Sequence, residues 1–348
     1  MDGEQHMPQP LKVIGAPASP YSRKMRAVLR YRRIPFDWVL QNSPEARALP
    51  KPKVPVIPVI GFVDADGTCT EVMTDSSPQI MRLEGMYDGR SLVPTDPVVA
   101  FVDYLLEDFA DEWVTKMMYH YRWYYEAAID KAGRMLPLQA DLTIPDDAWL
   151  AGKDFITDRQ ISRRALVGST EENRPIIEDS YVRLLRLLDA HLHEHDHLFG
   201  PRPARADFGL YGQLTQLTWW DPEAVAVAVR ESSRTVVWVE RMEDLSGLAV
   251  DGDDSWCDRA AIPPTTVALL GEVGRTYAPF MVANHAAFAN DDEMVSCTID
   301  GATYSQGRFG YQRKCLDWLR DEYRALAPDD RAAVDGLLAG TGCEQLFA

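Results

Sequence analysis

The N-terminal part of the chain alternates short apolar runs with segments of helical periodicity. LKVIG at residues 11–15 predicts a buried strand, and residues 20–32 predict a helix because their apolar positions recur at helical spacing. PFDWVL predicts a second strand, IGFVDADG a strand with its turn, and CTEVMT a further strand, before a helix over residues 76–87. The predicted order is β-α-β followed by β-β-α, which few small domains use.

The pattern changes near VPTDP at residues 93–97, after which helical periodicity dominates to about residue 246. Four amphipathic stretches carry it, and they predict an all-helical second domain: VVAFVDYLLEDFADEWVTKMMYHYRWYYEAAIDKA, IIEDSYVRLLRLLDAHLHEH, RADFGLYGQLTQL and VVWVERMEDL. Further on, MVSCTIDGATYSQ predicts a β-hairpin because Asp300-Gly301 separates two alternating runs. YQRKCLDWLRDEYRAL predicts an amphipathic helix.

These patterns divide the chain into four parts: a polar leader (1–10), an α/β domain (11–90), an all-helical domain (98–246) and a C-terminal extension (250–348). The extension holds too many apolar and aromatic residues for a disordered tail. We expect it to pack back on the helical domain, with the hairpin on the surface. It would act either as a lid over a substrate pocket or as a structural brace.

Composition narrows the classes of function. The chain of 348 residues is 46% hydrophobic and 26% charged, and its formal net charge of -17 disfavours nucleic acid or an anionic membrane as partner. The leader lacks the apolar core of a secretory signal, and five scattered cysteines without a CxxC pair indicate a reducing cytoplasm. Basic residues do cluster within residues 23–33, and such a local positive field suits a small anionic ligand.

Three motifs stand out in the α/β domain. SPYSRKMRAVL places Ser19 and Pro20 at a helix start after the first strand, VPVIPVI places two prolines before the third strand, and TDSSPQIMRLE opens a helix with Asp75 and Ser76. Each alone is typical of an ordinary helix cap or strand edge. Together, in this order, they resemble the glutathione S-transferase superfamily, in which a thioredoxin-like domain is joined to a helical one.

The resemblance implies a role for each motif. Ser19 matches the serine that activates the glutathione thiol in the serine-type classes, with Tyr21 and Ser22 as fallback donors. The residue before a cis-proline binds the cysteinyl part of glutathione through its main chain. Either Pro55 or Pro58 could be that proline. Ile57-Pro58 is favoured because it lies 18 residues before Ser76, closer than Pro55 to the family's spacing. Asp75 and Ser76 resemble the pair that binds the γ-glutamyl carboxylate and amine.

The helical domain adds weaker signals. GPRPARADFGLYGQL is similar to the family's capping segment, although Ala204 replaces the usual Ser or Thr while Asp207 remains, which leaves half of the reciprocal cap. Met117, Tyr121 and Tyr124 fall at helical spacing where the family's second-substrate pocket lies, but such a stripe is more often core. His191 and His195 lack a clear third metal ligand, so no metal is expected.

The resemblance therefore implies a cytoplasmic glutathione transferase that joins the thiolate of its co-substrate, glutathione, to a mainly apolar electrophile. Because Ser occupies position 19, a reductase that attacks disulfides with its own cysteine is disfavoured. Two alternatives remain: a non-catalytic binding or assembly module of the same fold, and a glutathione-dependent isomerase or dehalogenase. The resemblance also implies a homodimer, in which the thioredoxin-like domain of one subunit packs on the helical domain of the other.

Overall fold

The N-terminal unit is built on a four-stranded mixed sheet. The structure, a computed structural model, describes residues 9–250 and 256–348, so most of the expected polar leader lies outside the described residues. The strand order is β2-β1-β3-β4, with β1 parallel to β2 and antiparallel to β3. Their bounds are β1 (Leu11–Gly15), β2 (Phe36–Leu40), β3 (Val59–Val63) and β4 (Cys69–Thr74). This topology confirms the predicted thioredoxin-like fold.

Three helices accompany this sheet: α1 (Pro20–Tyr31), α2 (Pro44–Ala48) and α3 (Ser76–Met86). The apolar residues that predicted α1, among them Met25, Val28 and Leu29, are fully buried. The short helix α2 was not predicted. It begins at a second Ser-Pro pair, in which the Ser43 hydroxyl accepts a hydrogen bond from Ala46 N at 3.1 Å, and none of its residues is buried.

A helical region follows the sheet, as expected. The longest predicted helix is divided, because a π-helical turn at Ala110–Val114 interrupts it and Tyr125 has extended backbone. The helices of this region are α4 (Pro97–Phe109), α5 (Thr115–Tyr124), α6 (Glu126–Met135), α7 (Asp146–Ile161), α8 (Arg174–His191), α9 (Arg205–Trp219), α10 (Pro222–Glu231) and α11 (Ser233–Met242).

The N-terminus of α9 keeps half of a reciprocal cap. The Asp207 carboxylate accepts hydrogen bonds from Ala204 N at 2.9 Å and Leu198 N at 3.0 Å. Ala204 has no side-chain oxygen that could accept a hydrogen bond from the Asp207 backbone N–H. The Asp207 carboxylate alone therefore joins this helix to the segment before it.

The C-terminal extension contains the predicted hairpin between helices. Asp300 and Gly301 both have positive φ (52° and 76°), as a tight two-residue turn requires. The turn is exposed, whereas Val295, Ile299 and Tyr304 bury one face of the hairpin. The elements are α12 (Pro264–Glu272), a π-helical turn (Val273–Tyr277), α13 (Ala278–Ala289), β5 (Met294–Ile299), β6 (Ala302–Gly307), α14 (Gly310–Ala325) and α15 (Pro328–Leu338).

The extension packs against the helical region through aromatic side chains. The Trp113 ring, fully buried in the π-helical turn after α4, lies 6.0 Å from the Phe280 ring and 5.4 Å from the Tyr304 ring. Arg259 also forms ion pairs at 2.7 Å with Asp96 before α4 and Asp330 in α15. The extension thus shares one core with the helices. Across the described ranges, no helix combines the length and apolar character needed to cross a membrane.

Candidate functional site

The sheet register brings the three motifs to one edge. In the antiparallel pairing of β1 and β3, Ile14 lies opposite Val59, and Val59 in turn lies opposite Thr74 of β4. The end of β1, the start of β3 and the end of β4 are therefore neighbours. The segments 16–19, 57–58 and 75–76 continue directly from these strand ends, so the fold places all three motifs side by side.

Ser19 caps α1 and leaves its proton free. Its hydroxyl accepts a hydrogen bond from Ser22 N at 3.2 Å, and the side chain is partly exposed. No acceptor for the hydroxyl proton occurs in the described part of the chain. The positive end of the α1 dipole lies at the same place, so a hydroxyl donor and a favourable field for an anion coincide.

The two fallback donors are differently placed. The Tyr21 hydroxyl donates to Asp111 O at 2.7 Å, and burial raises its pKa well above the usual range. The Ser22 side chain is fully buried, and its hydroxyl accepts a hydrogen bond from Ala16 N at 3.3 Å. Tyr21 thus joins α1 to the helical region, and Ser22 supports the loop that carries Ser19.

Residues of the helical region fix that loop from the other side. The Arg122 guanidinium donates to Ala18 O at 2.8 Å and is itself paired with Asp221 at 3.0 Å. Ala18 N donates to the Gln139 side chain at 3.3 Å. These contacts join residues that are 99 to 121 positions apart, which is why the sequence pattern gave no sign of them.

The backbone shows which of the two prolines, Pro55 or Pro58, follows a cis peptide bond. The cis peptide bond is Ile57-Pro58, as favoured from the sequence. The Gln79 side chain of α3 donates to Pro58 O at 3.1 Å and to Met73 O at 2.7 Å, which joins this segment to the end of β4. The Ile57 side chain remains partly exposed.

Asp75 has an unusual backbone for a residue that precedes a helix. Its φ is 82°, in the left-handed region, and its side chain makes no capping hydrogen bond to α3. Oδ2 instead accepts a hydrogen bond at 2.8 Å from the Tyr311 hydroxyl of the extension. Burial raises the pKa of this carboxyl, while Tyr311 and Lys24 oppose the rise.

Ser76 is buried above an ion cluster that the sequence did not reveal. Its hydroxyl accepts a hydrogen bond from Lys24 Nζ at 3.2 Å, and this ammonium also contacts Glu107 at 2.7 Å and Asp111 at 2.6 Å. Burial alone would lower the Lys24 pKa, but the two carboxylates raise it. Lys24 therefore stays charged and supports the start of α3 from below.

Three further arginines of the basic cluster share one carboxylate of the chain. Arg26 and Arg30 both reach Glu243 Oε1, at 2.5 and 2.8 Å, and Arg23 reaches the same carboxylate at 3.2 Å. These side chains attach α1 to the segment after α11. One carboxylate offsets only part of their positive charge, so the positive field for an anionic ligand stays a prediction. The acidic partner lies more than two hundred residues away in sequence.

The residues expected to line the second-substrate pocket separate into two groups. Met117 and Tyr121 are buried in the main hydrophobic core, with the Tyr121 ring 5.2 Å from the Tyr181 ring. This corrects the pocket-lining expectation for those two, because their side of α5 faces the core. Tyr124 is partly exposed, and its hydroxyl donates to Glu171.

Of the two histidines, His191 is engaged in structural hydrogen bonds, and its ring lies 5.1 Å from the His195 ring. His191 Nδ1 lies 2.8 Å from the Thr265 hydroxyl, and its Nε2 lies 3.0 Å from His197 O. Within residues 9–250 and 256–348, no group of three or more His, Cys, Asp or Glu side chains has an arrangement that could hold a metal ion.

Comparison with solved structures gives distant matches, and the three described here are named as glutathione transferases or GST-like proteins. A GST-like protein from Pseudomonas syringae is 16% identical over 67% of this chain and 66% of that chain, with a TM-score of 0.39. A glutathione transferase family member from Pseudomonas fluorescens, with two glutathione bound, is 14% identical over 70% and 95%, with a TM-score of 0.42. A glutathione S-transferase from Methylobacterium radiotolerans, in complex with glutathione sulfonate, is 18% identical over 70% and 99%, with a TM-score of 0.35.

A family model gives the sharper result. No curated protein matched the sequence. The family described as glutathione S-transferase, N-terminal domain, matches residues 13–91, a range that contains all three motifs at the sheet edge. Residues 13–91 therefore match a glutathione S-transferase N-terminal domain.

Proposed function

We propose that the protein is a glutathione transferase that joins the sulfur of glutathione to a mainly apolar electrophile. The observation that supports this most is the Ser19 hydroxyl. It is partly exposed at the positive end of α1, and its proton is uncommitted within the described residues. Such a hydroxyl can donate to a thiolate without giving up its role as helix cap.

The chemistry needs a shift in the thiol pKa. A free thiol with a pKa of about 8.5 is less than about one-tenth ionised near neutral pH. Lowering the pKa by about two units requires about 2.7 kcal/mol of preferential stabilisation of the thiolate. A hydroxyl donor and the N-terminus of α1 can together supply much of it. Ser19 is therefore the proposed catalytic residue.

The remaining motif residues would bind the rest of glutathione. In this proposal the Ile57 main chain pairs with the cysteinyl unit beside cis-Pro58. The Asp75 carboxylate takes the α-ammonium, and the α3 N-terminus with Ser76 takes the α-carboxylate. The register that aligns β1, β3 and β4 supports one ligand that spans all three segments.

Calorimetric titration of the full chain with glutathione tests the proposal, followed by an assay with a general apolar electrophile. S-methylglutathione is the matched ligand, since it keeps the peptide and lacks an ionisable thiol. We expect both ligands to bind. The ultraviolet absorbance of a thiolate should appear only in the complex with glutathione. Absence of binding would contradict the proposal. Binding without turnover would favour a non-catalytic module, and a dehalogenated or isomerised product would favour a glutathione-dependent isomerase or dehalogenase.

The proposal also covers the location and the oligomeric state of the protein. We place the protein in the cytoplasm because its five cysteines are all free thiols. The homodimer stays a prediction, to be checked by sedimentation against the chain mass of 39.2 kDa.

A further inference from the structure

The start of α14 lies against the carboxylate that the proposed function assigns to the ligand ammonium. The Tyr311 hydroxyl donates to Asp75 Oδ2 at 2.8 Å, across 236 positions of sequence. Oδ1 of Asp75 receives no hydrogen bond from any residue in the described ranges. One oxygen of this carboxylate is thus held by the extension, and the other is left for a partner.

Asp75 is presented in this way because of its backbone. With φ at 82°, the Asp75 side chain makes no capping hydrogen bond to the helix that it precedes. A non-glycine residue in the left-handed region is uncommon, and such residues are concentrated at functional sites. The Tyr311 hydroxyl supplies the hydrogen bond that fixes the carboxylate in this orientation.

Tyr311 is itself held firmly. Just before it, Phe309 exchanges two hydrogen bonds with the Asn284 side chain, at 2.9 and 3.1 Å. Just after it, the Gln312 side chain donates to Glu112 O in the π-helical turn at 3.2 Å. The Tyr311 ring also packs edge-on against Trp318, with centroids 6.5 Å apart. The hydroxyl therefore has little freedom to leave Asp75.

The same side chain remains open to a ligand. Tyr311 is 37% exposed, and Phe309 beside it is 41% exposed. Burial of the hydroxyl end, together with Cys315 and Asp75, raises the Tyr311 pKa far above its usual value, so the hydroxyl stays a donor at every physiological pH. Lys314, one turn along α14, adds a positive charge near Asp75 that lowers the Asp75 pKa.

We propose that Tyr311 is a positioning residue for the ligand ammonium, so that the C-terminal extension completes the glutathione site of its own chain. This inference rests on the proposed function, because it concerns the same ligand. Tyr311 orients the Asp75 carboxylate and occupies Oδ2, which directs the α-ammonium of the γ-glutamyl unit to Oδ1. The site is then incomplete in the N-terminal domain alone.

The test compares Tyr311→Phe with Tyr323→Phe in the full-length chain. Tyr323 lies on the same helix, and its hydroxyl also donates to an aspartate, Asp335 of α15, at 2.5 Å. That hydrogen bond does not involve Asp75. We expect Tyr311→Phe to weaken glutathione binding by about 10- to 150-fold, as loss of a hydrogen bond to a charged group implies. Tyr323→Phe should leave the dissociation constant unchanged.

A second ligand separates positioning from general damage. Des-amino-glutathione lacks the α-ammonium, so Tyr311→Phe should hardly change its affinity, whereas a merely structural defect would weaken both ligands equally. In the double variant with Asp75→Asn, the two losses should be less than additive. Equal weakening of both ligands, or unchanged glutathione affinity in Tyr311→Phe, would overturn the inference while wild-type binding stands. Absence of glutathione binding by the wild type would instead overturn the proposed function.

Discussion

The Lys24 ammonium lies 2.6 Å from the Asp111 carboxylate, and this pair joins the first helix of the thioredoxin-like unit to the π-helical turn of the helical region. Both side chains are buried, with Glu107 as the second acid at 2.7 Å. The cluster lies beneath Ser76, so it links the contact between the two units to the start of α3.

Lys24→Met should destabilise the protein strongly. The substitution keeps the aliphatic bulk but leaves two buried carboxylates without their cation, which typically costs about 3–5 kcal/mol. Lys12→Met is the matched control, because Lys12 pairs with Asp37 at 2.7 Å on the surface and should cost at most about 1 kcal/mol. Urea unfolding followed by fluorescence measures both. Equal losses would mean that the buried cluster contributes no more than an exposed pair.

Stability should fall as pH rises from about 6.5 to about 7.5, on the order of 1 kcal/mol per pH unit. Burial raises the pKa of Asp108 and Asp207 to about 7 and that of Glu112 to about 8, so the folded chain holds protons that the unfolded chain has released. Their stabilising contribution is complete below the unfolded pKa values and is lost as pH passes the folded ones. Lys116, whose pKa burial lowers to about 7, opposes this with one proton.

Asp108→Asn should flatten this pH dependence, since it removes one titrating group while keeping an acceptor for the Tyr277 hydroxyl. Buried histidines have the opposite effect, because their contribution makes stability rise with pH. They act mainly below pH 6.5, since burial lowers the pKa of His197 to about 4. Urea midpoints at several pH values give the result. Stability that rises across this window would contradict the assignment of protonated buried acids.

The sequence predicted the parts of the site that depend on local order, because strand ends and helix starts can be identified from short patterns. Ser19, the cis bond before Pro58 and the Asp75-Ser76 helix start all lie at predicted element boundaries. It could not predict contacts between distant segments. The Tyr311 bond to Asp75 spans 236 positions, and nothing local to either residue indicates the other.

Two features of the helices depend on partners that are remote in sequence. The sequence did not show that three arginines of α1 pair with Glu243, because this acidic partner is remote in sequence. For Met117 and Tyr121, helical spacing showed that the residues share a face but left open whether that face meets the core or a pocket, and in the structure it meets the core. In both cases the fold supplied the partner.

Gly274→Ala should destabilise the extension. A Cβ at Gly274 would lie 2.0 Å from Thr341 O, a backbone atom that cannot easily move, so the expected cost is at least about 2–3 kcal/mol. Gly271→Ala, one turn earlier, meets nothing within 4 Å and should be neutral or stabilising by up to about 1 kcal/mol. Thermal unfolding of the two variants measures the difference. A Gly274→Ala variant as stable as Gly271→Ala would mean that the two segments do not pack this closely.

Ser19→Ala should lower turnover by about 10- to 1000-fold, because one hydroxyl donor to a developing anion is worth a few kcal/mol. Glutathione affinity should change little, since Ile57 and Asp75 would carry most of the binding. Ser43→Ala is the matched control: Ser43 also precedes a proline and caps a helix, α2, through Ala46 N, so it reports the cost of losing a cap alone.

The direct measurement is the pH dependence of thiolate absorbance in the complex with glutathione. A thiol pKa that is the same in Ser19→Ala as in the wild type would exclude Ser19 from thiol activation. Because the Tyr21 hydroxyl is committed to Asp111 O and Ser22 is buried, that result would direct attention to the backbone N–H groups at the start of α1.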